Sequence, residues 1–137
     1  MPTEPDARII IDKFLRESGW IMPGENQSPN VTTEIKNDAG EADYVLLDSE
    51  GFPLCAVEAK RSALPPLYGK EQARGYADSL KCRFVLLSNS IQHYLWDIEQ
   101  GSPFVIEHFP SQEQLEMRKN EFNPTIDEDE VIENDYV

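Results

Sequence analysis

Residues 42–60 read ADYVLLDSEGFPLCAVEAK, two apolar runs of strand length, Asp43–Leu47 and Leu54–Ala59, joined through Asp48, Ser49, Glu50 and Gly51. A polar hinge ending in glycine between two such runs is hairpin chemistry, so any fold of this chain is built around an antiparallel pair at this point. Side chains alternate across a strand, which sends Ala56, Glu58 and Lys60 to one face and Cys55, Val57 and Ala59 to the other. The charges are then the anomaly. Asp43 stands at the start of one run and Glu58 and Lys60 close the other, and antiparallel pairing through the turn allows Asp43 to lie opposite the last residues of the second strand.

The elements on either side follow from local pattern. Thr3-Glu4-Pro5-Asp6 resembles a capping box with Asp in place of the usual Glu, and it precedes ARIIIDKFLRESGW. The spacing predicts a helix with Ile10 and Phe14 on its apolar face, Ile11 and Leu15 beside them, and Gly19 as its stop. MPGENQSPN is turn chemistry, VTTEI is a short strand, and Asn37–Gly40 is a turn. The prolines and glycine of LPPLYGK exclude a long helix there, after which Glu71–Leu80, rich in Ala, Gln and Arg, predicts one. RFVLLS, residues 83–88, is a continuous apolar run typical of a strand covered on both faces. HYLWDI and PFVIEHF make an outer antiparallel pair around Gly101, and SQEQLEMRK a short helix. The order predicts an α/β domain with a mixed central β-sheet flanked by helices.

Composition narrows the class. A chain of 137 residues is one domain's worth, able to bury roughly two-thirds of its unfolded surface. No apolar stretch approaches the roughly 20 residues of a membrane span, so no membrane partner is expected. The opening MPTEPDAR lacks the layout of a secretion signal, and a cytoplasmic location is the expectation. Cys55 and Cys82 fit no CxxC pattern and read as buried thiols. The net charge is −14, but residues 120–137 hold seven acids and no bases, which carry half of it. We read residues 1–119 as the domain and 120–137 as an acidic linker toward a missing one. The body remains acidic, which disfavours a module that grips nucleic acid by itself and suits a site that collects divalent cations.

Two carboxylates at one sheet end repel each other unless protonated or neutralised, and burying them unpaired costs several kcal/mol each, an order of magnitude set by desolvation. A divalent cation resolves the conflict. Mg²⁺ takes oxygen ligands at about 2.0–2.1 Å, keeps several waters and commonly accepts one or two carboxylates plus phosphate oxygens. Asp43 and Glu58 with the Ala59 carbonyl would make such a site, and Lys60 could orient a water or offset developing charge. The same pattern also reads as a solvated Glu-Lys pair at an exposed strand edge.

Asp43 followed by Glu58-Ala59-Lys60 resembles the PD-(D/E)xK nuclease signature, with Ala42 where the eponymous proline would stand. Gln72 and Tyr76 of EQARGYA match the QxxxY motif of the RecB-related subset. The ordered series ARIIIDKFLRESGW, GEADYVLLD, PLCAVEAKR, YGKEQARGYA and FVLLSN, from about Ala7 to Asn89, is similar to the N-terminal endonuclease domain of the restriction (R) subunit of type I restriction-modification enzymes. Ser90 stands where that family usually shows Gly.

The resemblance implies a restriction-endonuclease-like core that cuts double-stranded DNA with Mg²⁺, for which Mn²⁺ can substitute. It implies Asp43, Glu58 and Lys60 as catalytic residues, Asp43, Glu58 and the Ala59 carbonyl as metal ligands, and Gln72 and Tyr76 as supports of the site or the DNA. It further implies a parent enzyme that uses ATP to translocate DNA and binds methylation and specificity subunits. Taken alone, Gln72 and Tyr76 read as a solvent-facing Gln and a Tyr packed on the sheet. Glu34, at the end of VTTEI, is a further acidic candidate, and Glu4 could approach from the first helix. No spacing assigns His93 or His108 a role, and Tyr94 and Trp96 read as a packed sheet face. The alternatives are a non-catalytic docking module with a nuclease-like fold and another RecB-like repair nuclease. No GxxxxGK[ST] is present, so an ATP-driven motor would lie outside these residues.

Overall fold

The hairpin lies within a six-stranded sheet in the computed structural model, which describes residues 4–25, 27–37 and 40–121, with side chains left aside at 4–6, 34–37 and 40–41. The chain runs α1 (Glu4–Glu17), β1 (Val31–Asn37), β2 (Gly40–Leu47) and β3 (Pro53–Ala59). A 3₁₀ turn (Pro66–Gly69) and α2 (Lys70–Leu80) follow, then β4 (Phe84–Ser88), β5 (His93–Asp97), β6 (Phe104–Ile106) and α3 (Gln112–Glu121). The strands lie side by side in chain order, and all neighbours are antiparallel except β3 and β4, which are parallel. A parallel pair needs a crossover, and the 3₁₀ turn and α2 supply it. The mixed sheet flanked by helices is the architecture expected from the element order.

Local chemistry explains the hairpin. The Asp48 carboxylate accepts hydrogen bonds from the Glu50 and Phe52 amides, both at 2.9 Å, and Gly51 supplies the φ of 89° that closes the turn. A register shift between Leu46 and Leu47 takes up the extra residue. Helix α3 is tied back to this turn, with Gln112 Nε2 donating to the Leu47 carbonyl at 2.9 Å and the Ser49 amide to Glu116 at 2.7 Å.

The sheet separates two apolar layers. On one side Ile11 and Leu15 of α1 pack with Tyr44, Leu46, Cys55, Val57, Phe84 and Leu86, and Leu115 of α3 joins them. On the other, Ala73, Tyr76 and Ala77 of α2 cover Val45, Ala56, Val85, Leu87 and Trp96. The alternation read from β3 holds. All of β4 is buried, as its unbroken apolar run requires.

The apolar face expected for α1 needs correction. Ala7, Ile11 and Leu15 are the fully buried positions, Phe14 is partly buried, and Ile10 is 38% exposed. A run of three isoleucines leaves the rotation of a helix about its axis undetermined, and a tertiary contact decides it. Tyr44 donates its hydroxyl to Asp12 at 2.5 Å and lies 3.0 Å from the Arg8 carbonyl, which turns the line through positions 8 and 12 toward the sheet. Burial, and then the Asp12 carboxylate, hold the Tyr44 phenol well above its usual pKa. The helix itself begins at Glu4; Thr3 of the expected capping box lies outside the described residues. Strands β1 and β2 extend to Asn37 and Gly40, which pair, and the two residues between them in the expected turn lie outside the described residues too. Most of the expected linker, 122–137, is likewise outside them, and α3 runs to Glu121. Among the described residues no helix is long and apolar enough to cross a membrane.

Candidate active site

The site grows out of the way the β2–β3 ladder ends. Its last Cα pair in this direction is Tyr44 with Val57, so the register carried one residue further sets Asp43 opposite Glu58, on the sheet face that α2 covers. There the Asp43 side chain takes the place of a backbone acceptor: its Oδ2 accepts the Ala59 amide at 2.7 Å. Lys60 follows the last residue of β3, and its amide donates to the Ser88 carbonyl at 2.8 Å, continuing the parallel pairing with β4. Its Nζ sits 3.1 Å from Glu58 Oε2, and the Glu58 residue is only 5% exposed. In a region this dry the ion pair is far less screened than a surface one, and losing the Lys60 ammonium would take a countercharge away from the buried Glu58 carboxylate.

Gln72 and Tyr76, four apart on α2, sit at different depths: Tyr76 is 1% exposed within the layer under the sheet and Gln72 is exposed at its edge. Ala59 is fully buried and its side chain faces the α1 layer. Glu34 lies on edge strand β1, two strands from Glu58, and its side chain, like that of Glu4, falls outside the described residues. Tyr94 and Trp96 pack as expected, Trp96 buried and donating to the Gly101 carbonyl at 2.5 Å, with the Lys70 and Arg74 cations 5.1 and 5.6 Å from its ring centre.

Two features of the site were not read from the sequence. The 3₁₀ turn brings Gly69 directly against Glu58 and Lys60, where a Cβ at 69 would meet Glu58 Cγ at 2.8 Å and Lys60 Cε at 3.1 Å. Asn89, just past β4, donates from Nδ2 to the Leu64 carbonyl at 2.8 Å and accepts the Ile91 and Gln92 amides on Oδ1. It pins the loop that carries the 3₁₀ turn to the strand beside Lys60. A glycine just before a helix and an Asn just after an apolar strand were the available signals, and both are too common to single out.

The donor chemistry fits a hard divalent ion. Two carboxylates from adjacent strands offer oxygen ligands beside an ammonium, and among the described residues no group of three His, Cys, Asp or Glu forms a ready cage. A pair of carboxylates completed by carbonyl, water or phosphate oxygen is the coordination Mg²⁺ accepts, while Zn²⁺ sites more often include His nitrogen or Cys sulfur.

Residues 13–110 match the family model described as the type I restriction enzyme R protein N terminus. A solved structure of a fragment assigned to an HsdR subunit of a type I restriction enzyme from Vibrio vulnificus YJ016 superposes with a TM-score of 0.71 at 27% identity, over 84% of this chain. This chain spans 25% of the length of that one. No curated protein is significantly similar to it.

Proposed function

The chain belongs to the family of type I restriction enzyme R protein N termini, and from that membership we propose that it is an Mg²⁺-dependent endonuclease domain hydrolysing phosphodiester bonds of double-stranded DNA. The observation that carries the reading is that Asp43, held by the Ala59 amide, and the Glu58–Lys60 ion pair stand at the shared end of β2 and β3. In the parent protein the cutting is coupled to ATP-driven translocation and directed by methylation and specificity subunits. The acidity of the body agrees, since tight DNA binding would come from elsewhere.

Asp43, Glu58 and the Ala59 carbonyl would hold the ion, which when bound supplies Lewis acidity to a phosphoryl oxygen and lowers the pKa of a water. Asp43, fixed by the Ala59 amide, presents its carboxylate in one orientation. Lys60, held 3.1 Å from Glu58, aims its ammonium at the attacking water and offsets charge gathering on the phosphoryl oxygens. Tyr76 packs α2 onto the sheet beneath the site, and Gln72, exposed at the helix edge, would be the side chain that meets the DNA backbone.

In the full-length protein, Lys60→Ala and Glu58→Ala should each lower cleavage by roughly 10²-fold or more, the scale of losing one electrostatic group of a phosphoryl or acyl transfer site, with ATP hydrolysis and translocation unchanged. Equal loss of all three activities would assign these residues a structural role instead. Asp43→Asn keeps an acceptor for the Ala59 amide, so it should fold as the wild type does while losing Mn²⁺ binding in calorimetry. A wild type that takes up no Mn²⁺ even with DNA present would favour a docking module over a nuclease.

A further inference from the structure

We infer that Gly69 is a positioning residue for the Glu58–Lys60 pair, its bare Cα forming the wall against which both side chains pack. The backbone does not ask for glycine there, since φ of −93° and ψ of 8° are open to any residue. Gly19, Gly24, Gly51 and Gly101 differ: each has positive φ and open space where a Cβ would project. Capping chemistry does not ask for it either. Position 69 is the N-cap of α2, where Ser, Thr, Asp or Asn would satisfy an amide of the first turn, and no side-chain cap bond is made. What remains is space. The Glu58 Cγ that an added Cβ would meet at 2.8 Å is the middle of a buried side chain on an interior strand, not the loose end of a surface one. A side chain at 69 therefore moves the Glu58 carboxylate, and with it Lys60. The inference rests on the reading of those two residues as the metal and water-handling groups.

A double-mutant cycle on this chain tests it, with the urea midpoint and the Mn²⁺ dissociation constant as separate readouts. Gly69→Ala in the wild-type background should lower the midpoint and weaken Mn²⁺ binding at least ten-fold. In a Glu58→Ala background, where the obstructing Cγ is gone, the same substitution should leave the midpoint unchanged or raise it. Should Gly69→Ala alone fail to fold, a cooperative transition regained in the double variant supports the inference and its absence overturns it. An equal loss of midpoint in both backgrounds, or an unchanged Mn²⁺ affinity in Gly69→Ala, also overturns it. If the wild type binds no Mn²⁺, the metal-site reading fails by itself, and the midpoint cycle still decides whether Gly69 sets the position of Glu58.

Discussion

Ser90 holds a φ of 77°, in the left-handed region that a Cβ disfavours. It is kept there by its neighbours: its amide donates to Ser88 Oγ at 2.9 Å, and Asn89 gathers the next two amides on its own side chain. Glycine would hold this backbone conformation at lower cost. Ser90→Gly should stabilise the domain by about 0.5–1 kcal/mol in urea melts, the difference between relieving the left-handed strain and adding chain entropy to the unfolded state. A loss of stability would show that the Ser90 side chain makes a contribution larger than that strain. The site divides in the same way. Asp43, Glu58 and Lys60 were legible because a charge on an apolar strand is conspicuous in a linear pattern. Gly69 was not, because the requirement for it lies in the position of a side chain eleven residues earlier.

At the scale of elements, α1 shows where periodicity stops deciding. Ile9, Ile10 and Ile11 are consecutive, so three rotations of the helix each offer an apolar stripe, and Tyr44 selects the one that buries Ile11. Ile11→Ala should cost about 2–4 kcal/mol and Ile10→Ala less than about 1 kcal/mol, the contrast between a filled core position and a part-exposed one. Equal costs would mean the helix is rotated from the orientation described. Strand β3 is the opposite case, since its alternation carried over to the structure without change, with Cys55 in the α1 layer. Burial raises the thiols, Cys55 well above the ordinary value and Cys82 to about 12. Neither should react with a disulfide reagent at pH 8 until the domain is unfolded, and two thiols titrated at once in the native protein would refute the placement of β3.

The molecule as a whole meets at His93. Its ring is buried on β5, its Nδ1 is 2.8 Å from Ser88 Oγ of β4, and the rings of Phe14 from α1 and Phe109 from the segment before α3 pack edge-on against it at 5.4 and 4.9 Å. Burial pushes its pKa below the usual imidazole value, opposed by a hydrogen bond to the Gln92 backbone and aided to a smaller extent by repulsion from His108. A base whose folded pKa is depressed is favoured neutral, and the unfolded chain then binds more protons on the acid side of about 6.5. Its contribution is complete above that pH and is lost as pH falls toward the depressed folded value. The urea midpoint should therefore drop between pH 7.5 and 6.0, and His93→Gln should flatten that drop while lowering the midpoint at pH 7.5. By itself the sequence determined the hairpin, the alternation of β3, the two-faced burial of β4 and the three charged residues at the strand ends, because each is written in a local pattern of turn residues, of period two or of an unbroken apolar run; that β3 and β4 pair in parallel came from the structure. Only the tertiary structure decided which stripe of α1 is buried, why position 69 carries no side chain, and what pushes the pKa of His93 down. Those depend on atoms that approach from distant parts of the chain, and no local pattern records the space they leave.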